Sequence, residues 1–477
     1  MTDKKEKCGI VAARSSSGLD VVPGVLKGLE ALQHRGQESW GLAVDGRPVF
    51  RRMGLVTDWP LYSDELSGFS GQSAIGHLRY STKGRSVLDN AQPIQIGSDF
   101  SIAHNGTIVN ADSLSAEAGE EFEAPCDSDT KAAGYRLLHH LRLTGSMFEA
   151  FEKLSTELIG AYCFVILTSN GDVYAARDPR GYRPLSLGWI EESKTLVAAS
   201  ESCALESIAA AFVRDIEPGE MVMFDKEGIK THRFSAKVEP AHCSFEFTYF
   251  AHPSSRISGV SVYEARKNVG RALARRFRTD ADVVVPVPDS ARPAALGYAL
   301  ESGIPMDEGL MKDRYRRKGS IRSFIEPDQS GRDEIVKRII PVRDVIKGKR
   351  VVVIDDSLVR GTSSKAIVDS LKRAGAKSVK MAVTFPAIRH PCYMGIDFPT
   401  KDELLAHRVA EGETDPEKIA DKVAKEIGVD EFYYNDIEGL SEAIGIPKDS
   451  LCFACVNGDY SKLGALPQAR PEEKVKA

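Results

Sequence analysis

The sequence has no apolar run of the roughly 18 residues that a membrane-spanning helix needs, so no such helix is expected. Its first residues are charged and no apolar stretch follows them, which argues against a secretory signal and predicts a cytoplasmic protein. Neither sign of charge is in large excess. The formal net charge of −5 gives no indication of a surface that binds nucleic acid or membranes.

Disulfides are not expected either, although the chain has eight cysteines, because a cytoplasmic compartment keeps thiols reduced. Some of these thiols should be small buried apolar side chains, and others could be metal ligands or a nucleophile. The length of 477 residues predicts about two to three domains.

The two halves of the chain differ in pattern. Up to about residue 235, short β-type runs alternate with turn signals and with helical stretches at 22–34 and 129–157, which predicts a layered α+β domain. The second half has apolar runs at 283–288 and 350–354, each followed by a polar loop and a helix. This pattern predicts an α/β domain with a parallel sheet covered on both faces.

The most distinctive segment follows the second of these apolar runs. Asp355 and Asp356 stand at the carboxyl end of the predicted strand, where open α/β sheets bind ligands. A loop with Gly361 and the hydroxyls of residues 362–364 leads into a predicted helix over 365–374. Loop N–H groups and a helix N-terminus suit a phosphate, and the carboxylates suit ribose hydroxyls or a Mg²⁺ ion shared with a pyrophosphate. The alternative is a loop that only caps a helix.

This segment resembles the phosphoribosyl-pyrophosphate (PRPP) loop of the type I phosphoribosyltransferases. The resemblance implies a PRPP site made by Asp355, Asp356, Ser357, Arg360, Gly361, Thr362, Ser363 and Ser364. It also implies a Mg²⁺ site at Asp355, Asp356 and Ser290, the last of which follows another predicted strand.

Cys8 opens the first predicted strand, and by position alone it would be a core thiol. Four polar clusters between apolar stretches change this interpretation: residues 34–37, 76–82, 104–106 and 128–130. Once residues 1–7 are removed, the α-amine of Cys8 can act as general base for its own thiol, as in N-terminal nucleophile enzymes. The thiolate would then attack the side-chain amide of glutamine.

The clusters supply the other groups that this reaction needs. The Asn105 side chain and the Gly106 N–H can stabilise the oxyanion. Arg79 can bind the α-carboxylate of glutamine, and Asp129 can bind its α-ammonium. Arg35 is also assigned to glutamine binding. Two alternatives stay open, because Arg35 could be a surface charge and Asp129 could cap the helix that begins beside it.

In this order, the clusters resemble the class II glutamine amidotransferase domain, which implies an αββα sandwich of the N-terminal nucleophile (Ntn) hydrolase type. A sugar-isomerase or adenylating partner domain would indicate glucosamine-phosphate synthase or asparagine synthetase. The loop at Asp355 is instead similar to that of the amidophosphoribosyltransferase family. This resemblance implies a propeptide at 1–7, an amidotransferase domain at 8–240, a phosphoribosyltransferase domain with a helical C-terminal segment at 241–465, and a polar tail at 466–477.

Other segments of the second half agree with this family. Residues 249–254 and 262–266 resemble its interdomain segment, and residues 324–329 with Arg332 resemble the flexible loop that closes over PRPP. Residues 312–323 depart from the family pattern, because they are longer than usual and strongly basic. They are either a solvated loop or extra charge near the pyrophosphate, and they put loop closure and PRPP affinity in question.

Four cysteines have the chemistry of a metal site: Cys243, Cys392, Cys452 and Cys455. Four thiolates suit zinc or an iron–sulfur cluster. Residue chemistry alone does not distinguish these two metal sites, and it also leaves open that the four cysteines are only buried thiols. Their positions resemble those of amidophosphoribosyltransferases that carry a 4Fe–4S cluster and are made with a short propeptide. The resemblance implies a structural cluster that ties the C-terminal segment to the domain junction. No role is assigned to Cys126, Cys163 or Cys203.

The whole resemblance implies the first step of de novo purine synthesis. Ammonia released at Cys8 would pass internally and displace pyrophosphate from Mg²⁺-bound PRPP, giving 5-phosphoribosylamine and glutamate. Feedback by purine nucleotides and a homotetramer are also implied. One alternative is a non-catalytic sensor of PRPP or nucleotides with a vestigial first domain, for which no basic DNA-binding element is evident. Another is a plain phosphoribosyltransferase.

Overall fold

The computed structural model describes residues 8–58, 66, 68–80, 86–117, 128–313, 339–396, 398 and 400–463. Several expectations lie outside them: the propeptide at 1–7, the loop at 324–329 with Arg332, most of the basic segment at 312–323, the tail at 466–477, and Cys126. No helix within the described ranges is long and apolar enough to cross a membrane.

The first part of the chain forms two antiparallel sheets. Its strands are β1 (Gly9–Ser15), β2 (Ser39–Val44), β3 (Phe50–Met53), β4 (Ser73–Arg79), β5 (Ile94–Ile96), β6 (Phe100–Ile108), β7 (Gly160–Thr168), β8 (Val173–Arg177), β9 (Ser186–Ile190), β10 (Thr195–Ala199), β11 (Ala211–Asp215), β12 (Glu220–Asp225) and β13 (Gly228–Arg233). One sheet has the order β11-β9-β10-β1-β4-β2-β3, and the other has the order β13-β12-β8-β7-β6-β5. Strand β1 is therefore central in the first sheet, and Cys8 immediately precedes it.

Helices cover the outer face of each sheet. They are α1 (Val22–Ala31), α2 (Ala111–Glu117), α3 (Asp129–Thr144), α4 (Met147–Glu157) and α5 (Ser202–Ser207). Alternate residues of β1 explain the layering: Val11 packs with α1 and α5, whereas Ile10 and Ala12 pack against the second sheet. Helices α3 and α4 share a third core with the second sheet. These layers confirm the αββα sandwich.

The predicted helical stretch at 129–157 is two helices rather than one. Gly145 ends α3 in a left-handed conformation, with φ +69°, and the Ser146 side chain accepts a hydrogen bond from Glu149 N at the start of α4. The stretch at 22–34 is shorter than predicted, because α1 ends at Ala31.

The second part of the chain is built on a parallel sheet. Its strands are β14 (His242–Cys243), β15 (Arg256–Ile257), β16 (Val260–Ser261), β17 (Val283–Pro286), β18 (Leu310–Lys312), β19 (Ile339–Pro341), β20 (Arg350–Asp355), β21 (Ser378–Val383), β22 (Glu431–Tyr434) and β23 (Leu451–Cys452). The order β17-β20-β21-β22 is parallel throughout. The predicted parallel sheet is therefore confirmed, and the predicted apolar runs at 283–288 and 350–354 supply its first two strands.

Helices pack on both faces of this sheet, as its uninterrupted apolar strands require. They are α6 (Val262–Arg276), α7 (Arg292–Ser302), α8 (Arg343–Ile346), α9 (Thr362–Arg373), α10 (Leu405–Val409), α11 (Pro416–Ile427), α12 (Ile437–Ile444) and α13 (Ala454–Asn457). Helices α9 and α11 share a core with Val351 and Val353, on one face of β20. Helices α6 and α7 share another with Val352 and Ile354, on the opposite face.

The junction between the two parts is buried. Strand β14 pairs in parallel with β23, so the C-terminal segment returns to the point where the first part ends. A single π-helical turn, Glu246–Phe250, follows β14, and every residue in it is buried. Phe245 packs edge-on against Phe385 and Phe398 and closes this junction with aromatic contacts.

Candidate active site

Cys8 lies at the edge of the sandwich, at the start of β1. It is only 8% exposed, and its Sγ lies 3.8 Å from the carbonyl oxygen of Tyr80, just beyond β4. Its own carbonyl oxygen accepts a hydrogen bond of 3.3 Å from Arg35 Nε. The thiol is thus fixed from both sides by neighbouring segments, as a nucleophile needs to be.

Arg35 is not a surface charge, and its surroundings do not favour the predicted contact with glutamine. Its side chain is fully buried and forms ion pairs with Glu201 and Glu246. Burial disfavours its charge, but Glu246 and Glu201 outweigh that and raise the pKa of Arg35 above its ordinary value. Two carboxylates and the carbonyl of Cys8 occupy this guanidinium, so it holds the nucleophile in place.

The turn that carries Arg35 packs closely against β4, and this packing depends on the next residue, Gly36. A Cβ at Gly36 would lie 2.7 Å from the carbonyl carbon of Leu78, on β4. Only glycine lets this turn lie against the strand, and the turn carries Arg35 beneath Cys8.

Asn105 and Gly106 lie on β6, in the second sheet. The Asn105 side chain is fully buried; its Nδ2 donates to Ser200 Oγ at 3.4 Å, and its Oδ1 has no hydrogen-bond partner among the described residues. Ser200 Oγ also accepts from Ile10 N at 3.0 Å. Ser200 therefore links the predicted oxyanion donor to the strand that begins at Cys8. Sequence analysis assigned no role to Ser200.

Gly106 has to be glycine in this strand. Its φ is +148°, and a Cβ would lie 1.9 Å from the carbonyl oxygen of Ala161 on β7. Any side chain would therefore push β6 and β7 apart and displace the adjoining Asn105.

Asp129 belongs to the same region. Ser128 is the N-cap residue of α3, since its side chain accepts from Lys131 N, and Asp129 Oδ1 accepts a hydrogen bond of 2.8 Å from Thr130 N in the first turn. Asp129 Oδ2 reaches back to β6, where it accepts a hydrogen bond of 3.1 Å from Ile108 N. This places the carboxylate two residues along the strand from Gly106.

Arg79 ends β4 and is almost fully buried. Its guanidinium pairs with Glu38, which directly precedes β2. The thiol of Cys8 contacts the carbonyl oxygen of the next residue of the chain, Tyr80. Arg79 and Asp129 are thus placed on segments adjacent to Cys8 and Gly106 respectively.

The second predicted site lies at the carboxyl end of the parallel sheet. Asp355 is the last residue of β20, and both it and Asp356 are buried. Asp356 Oδ2 accepts a hydrogen bond of 2.5 Å from Ser290 Oγ, and its Oδ1 accepts one of 3.0 Å from Ser357 Oγ. The structure therefore brings Ser290 into contact with Asp356 from a neighbouring strand end, and Asp355 Oδ1 accepts a hydrogen bond of 2.8 Å from Asp356 N.

The loop after Asp356 forms a helix N-terminus. Gly361 adopts φ +84° immediately before α9, and a Cβ there would lie 2.5 Å from Leu405 Cδ2. Helix α9 begins at Thr362, three residues earlier than predicted, so residues 362–364 form its first turn. The N–H groups of a first turn have no partner within the helix and point at a ligand. Arg360 Nε donates to Glu403 at 2.8 Å, which holds this side chain at the loop's outer edge.

The four cysteines predicted to bind metal come together at the junction. Cys243 and Cys452 are opposite each other in the pairing of β14 with β23. Arg389 N and His390 N donate to the carbonyl oxygen of Cys455, which draws the segment before Cys392 to the same place.

The surroundings of Cys243, Cys452 and Cys455 disfavour the thiolate form. Burial raises the pKa of Cys243 to about 11, and burial together with Cys243 and Cys392 raises the pKa of Cys452 above its ordinary value. Among the described residues, no three Cys, His, Asp or Glu side chains surround a single metal-ion position. An iron–sulfur cluster is larger than one ion, so its ligands lie farther apart. The donor set of four convergent thiols fits such a cluster.

The buried charges at the junction were not found by sequence reasoning. Glu201 accepts hydrogen bonds from His252 N and Ser255 Oγ, each 2.7 Å long, in addition to its contacts with His34 and Arg35. Glu201 belongs to the sandwich and Ser255 to the second part, so this carboxylate joins the two. Its partners are far apart in sequence, and no local motif marks them.

Comparisons with known proteins identify a domain around each of the two sites. The glutamine amidotransferase domain family matches residues 77–207, and the phosphoribosyl transferase domain family matches residues 261–400. The amidophosphoribosyltransferase of Methanocaldococcus jannaschii is 41% identical, over 95% of this chain and 97% of its own. That of Bacillus subtilis is 40% identical, over 91% and 90%.

A solved structure shows the same arrangement. It is the glutamine PRPP amidotransferase of B. subtilis complexed with ADP and GMP, with a TM-score of 0.82, 37% identity, and coverage of 95% of this chain and 97% of that one. Both domains of the relatives are therefore present here in the same order. This chain belongs to the amidophosphoribosyltransferase family of enzymes, pentosyltransferases that carry a glutamine amidotransferase domain.

Proposed function

We propose that this enzyme uses glutamine and PRPP to make 5-phosphoribosylamine, glutamate and pyrophosphate, the first step of purine synthesis, with Cys8 as the nucleophile. The observation that best supports this proposal is that one chain contains both sites. Cys8 lies on the strand that Ser200 links to Asn105, and Asp355 with Asp356 lies at a parallel-sheet edge before a helix N-terminus.

At the first site, the chain must begin at Cys8 for the reaction to start. Removal of residues 1–7 frees the α-amine, which takes the thiol proton. The thiolate attacks the glutamine amide, while Asn105 Nδ2 and Gly106 N–H stabilise the oxyanion. The α-amine then returns its proton to the departing ammonia, and water hydrolyses the thioester to glutamate. Arg79 and Asp129 bind the α-carboxylate and α-ammonium of glutamine.

At the second site, the first turn of α9 binds the 5-phosphate of PRPP, and Asp355 with Asp356 binds its ribose hydroxyls. Mg²⁺ fits the oxygen donors of Asp355, Asp356 and Ser290, and when bound it would neutralise charge on the pyrophosphate as it leaves. Ammonia attacks C1 of the ribose. Phe245 packs with Phe385 and Phe398 in a buried apolar part of the junction, which supports an internal route that keeps ammonia unprotonated.

The four cysteines would hold a 4Fe–4S cluster whose role is structural. Its support is the donor set itself: Cys243 and Cys452 are on paired strands that close the junction, so a cluster there would fasten the C-terminal segment to the end of the sandwich. Cluster-bearing members of the family are also made with a propeptide, in keeping with the residues that precede Cys8.

Three further properties are proposed from the relatives. The B. subtilis enzyme was solved with ADP and GMP, which supports feedback inhibition of this enzyme by purine nucleotides. A cytoplasmic location and a homotetramer complete the proposal. The longer basic segment at 312–323 leaves the reaction class unchanged and would alter PRPP affinity through added charge.

Replacement of Cys8 by Ala tests the proposal. Glutamine-dependent formation of 5-phosphoribosylamine should vanish, while the ammonia-dependent reaction should survive, because the second site is intact. Cys203→Ala is a matched control, since Cys203 is also a nearly buried thiol of the sandwich, and it should keep both activities. Retained use of glutamine by Cys8→Ala would overturn the assignment. Failure of the wild-type enzyme to form glutamate from glutamine with PRPP present would favour the non-catalytic sensor.

A further inference from the structure

Three arginines are buried at the junction: Arg35, Arg183 and Arg266. Arg35 pairs with Glu201 and Glu246, and Arg183 pairs with Glu246. Arg266 donates to the carbonyls of Phe247 and Ala251. A buried charge is costly unless it is paired and hydrogen-bonded.

The ion pair with Glu246 does not satisfy the whole Arg183 guanidinium. Its Nη1 donates to Glu246 Oε1 at 2.9 Å, but its Nε and Nη2 have no hydrogen-bond partner among the described residues. A guanidinium offers five N–H donors, and buried donors left without acceptors cost free energy. Glu246 does not need Arg183 to be paired, since Arg35 Nη2 also donates to it at 2.8 Å.

The unsatisfied edge of Arg183 lies between segments that carry two of the four thiols. A Cβ on Gly395 would lie 2.9 Å from Arg183 Nη2 and 3.1 Å from its Nε, and Gly395 is three residues after Cys392. On the other side, Cys243 N donates to the carbonyl oxygen of Tyr182, the residue before Arg183.

We propose that Arg183 is the charge and hydrogen-bond partner of the metal group held by Cys243, Cys392, Cys452 and Cys455. The inference rests on the cluster proposed above and adds the residue that compensates it. Metal ligation requires four thiolates, so the loaded site is negative. A neighbouring guanidinium with free N–H donors offsets that charge, and hydrogen bonds to sulfur and local charge are what tune such clusters.

From this role we expect the replacement of Arg183 to have different effects in protein without the cluster and in cluster-loaded protein. In protein without the cluster, the unsatisfied Nε and Nη2 of the guanidinium are a cost that offsets its ion pair with Glu246, so Arg183→Met should not destabilise the fold. In cluster-loaded protein, the same substitution removes the compensating charge, so the cluster should become less firmly held. An arginine with a merely structural role would destabilise both forms when replaced.

The experiment compares cluster retention in the anaerobically purified full-length enzyme. Wild type, Arg183→Met and Arg183→Lys would each be assayed for iron and sulfide content and for the rate of iron loss to a chelator. Arg183→Met should lose iron about tenfold faster, a change equivalent to about 1.4 kcal/mol in the barrier. Arg183→Lys, which keeps the charge, should remain within about threefold of wild type. Arg266→Met is a matched buried arginine that should leave the relative rate of iron loss unchanged.

The midpoint potential of the cluster gives a second measurement that a structural effect would not move. Reduction adds negative charge, which a nearby guanidinium stabilises, so Arg183→Met should shift the potential to more negative values and Arg183→Lys should shift it less. Equal iron loss and equal potentials in wild type and Arg183→Met would overturn the role of Arg183 alone. Wild-type protein that takes up no iron and sulfide would overturn the cluster proposal, and this inference with it.

Discussion

The two sites of this enzyme are built in opposite ways. The PRPP-type site is almost one contiguous segment, from Asp355 to the first turn of α9, with Ser290 added from a neighbouring strand. The site around Cys8 is assembled from separate strands, and it is held by Arg35, Glu201 and Glu246, which are far apart in sequence. A contiguous site depends on local backbone conformation, whereas a dispersed one depends on tertiary contacts, and the two should fail differently when they are damaged.

The largest effect is expected from removal of the shared carboxylate of the dispersed site. Glu246→Ala leaves Arg35 and Arg183 buried with a common partner missing, which should lower the free energy of unfolding by about 3–5 kcal/mol. Thermal unfolding would measure this, and Glu191→Ala, at an exposed ion pair, should leave the midpoint unchanged. In the fraction that stays folded, ammonia-dependent activity should exceed glutamine-dependent activity. An equal loss of both would show that the two sites do not fail separately.

Asn105→Ala should impair the glutamine site while leaving the PRPP site active and the enzyme folded. Loss of one oxyanion donor should lower kcat for glutamine by about 10²–10³-fold, because Asn105 Nδ2 is the side-chain donor assigned to the oxyanion. The ammonia-dependent reaction does not use this group and should keep its rate. Steady-state kinetics with each nitrogen source would measure the ratio. A decline of less than about threefold with glutamine would remove Asn105 from the mechanism.

The same contrast explains what the sequence could predict. The phosphate site around Asp355 consists of features that are contiguous in sequence: a strand, a pair of acidic residues, a glycine and hydroxyl side chains. Their order alone therefore indicated the site. Helix α9 nevertheless begins at Thr362 instead of Lys365, because Gly361 turns the chain in a left-handed conformation just before it. The αββα layers were implied by family resemblance, and the alternation of Ile10, Val11 and Ala12 shows why β1 can lie between them.

Arg35 shows where prediction from sequence ends. Its neighbours in sequence gave it a polar setting, and nothing local distinguished a substrate contact from a surface charge. The two carboxylates that pair with it in the buried junction belong to Glu201 and Glu246, 166 and 211 residues further along the chain. Ser200 and Arg183 were missed for the same reason, since each acts through partners that only the folded chain brings together.

Gly361→Ala tests the contiguous site in turn. The substitution places a side chain at φ +84° and against Leu405 Cδ2, which should cost about 1–3 kcal/mol and distort the first turn of α9. KM for PRPP should rise with either nitrogen source. Gly428→Ala is a matched control, because its φ is +78° with open space around a Cβ. It should cost some stability and leave KM for PRPP unchanged, and equal KM values for the two variants would contradict the assigned phosphate site.

The smallest expected effect comes from a helix cap in the dispersed site. Ser128→Ala removes the side-chain acceptor for Lys131 N at the start of α3, which should lower stability by about 1 kcal/mol. Ser146→Ala removes the equivalent cap of α4, which carries no proposed glutamine ligand, and should cost a similar amount. Only Ser128→Ala should raise KM for glutamine, by about two- to fivefold, because Asp129 is the first residue of the helix it loosens. A matching rise in Ser146→Ala would show that general loosening of the sandwich, and not the placement of Asp129, sets glutamine affinity.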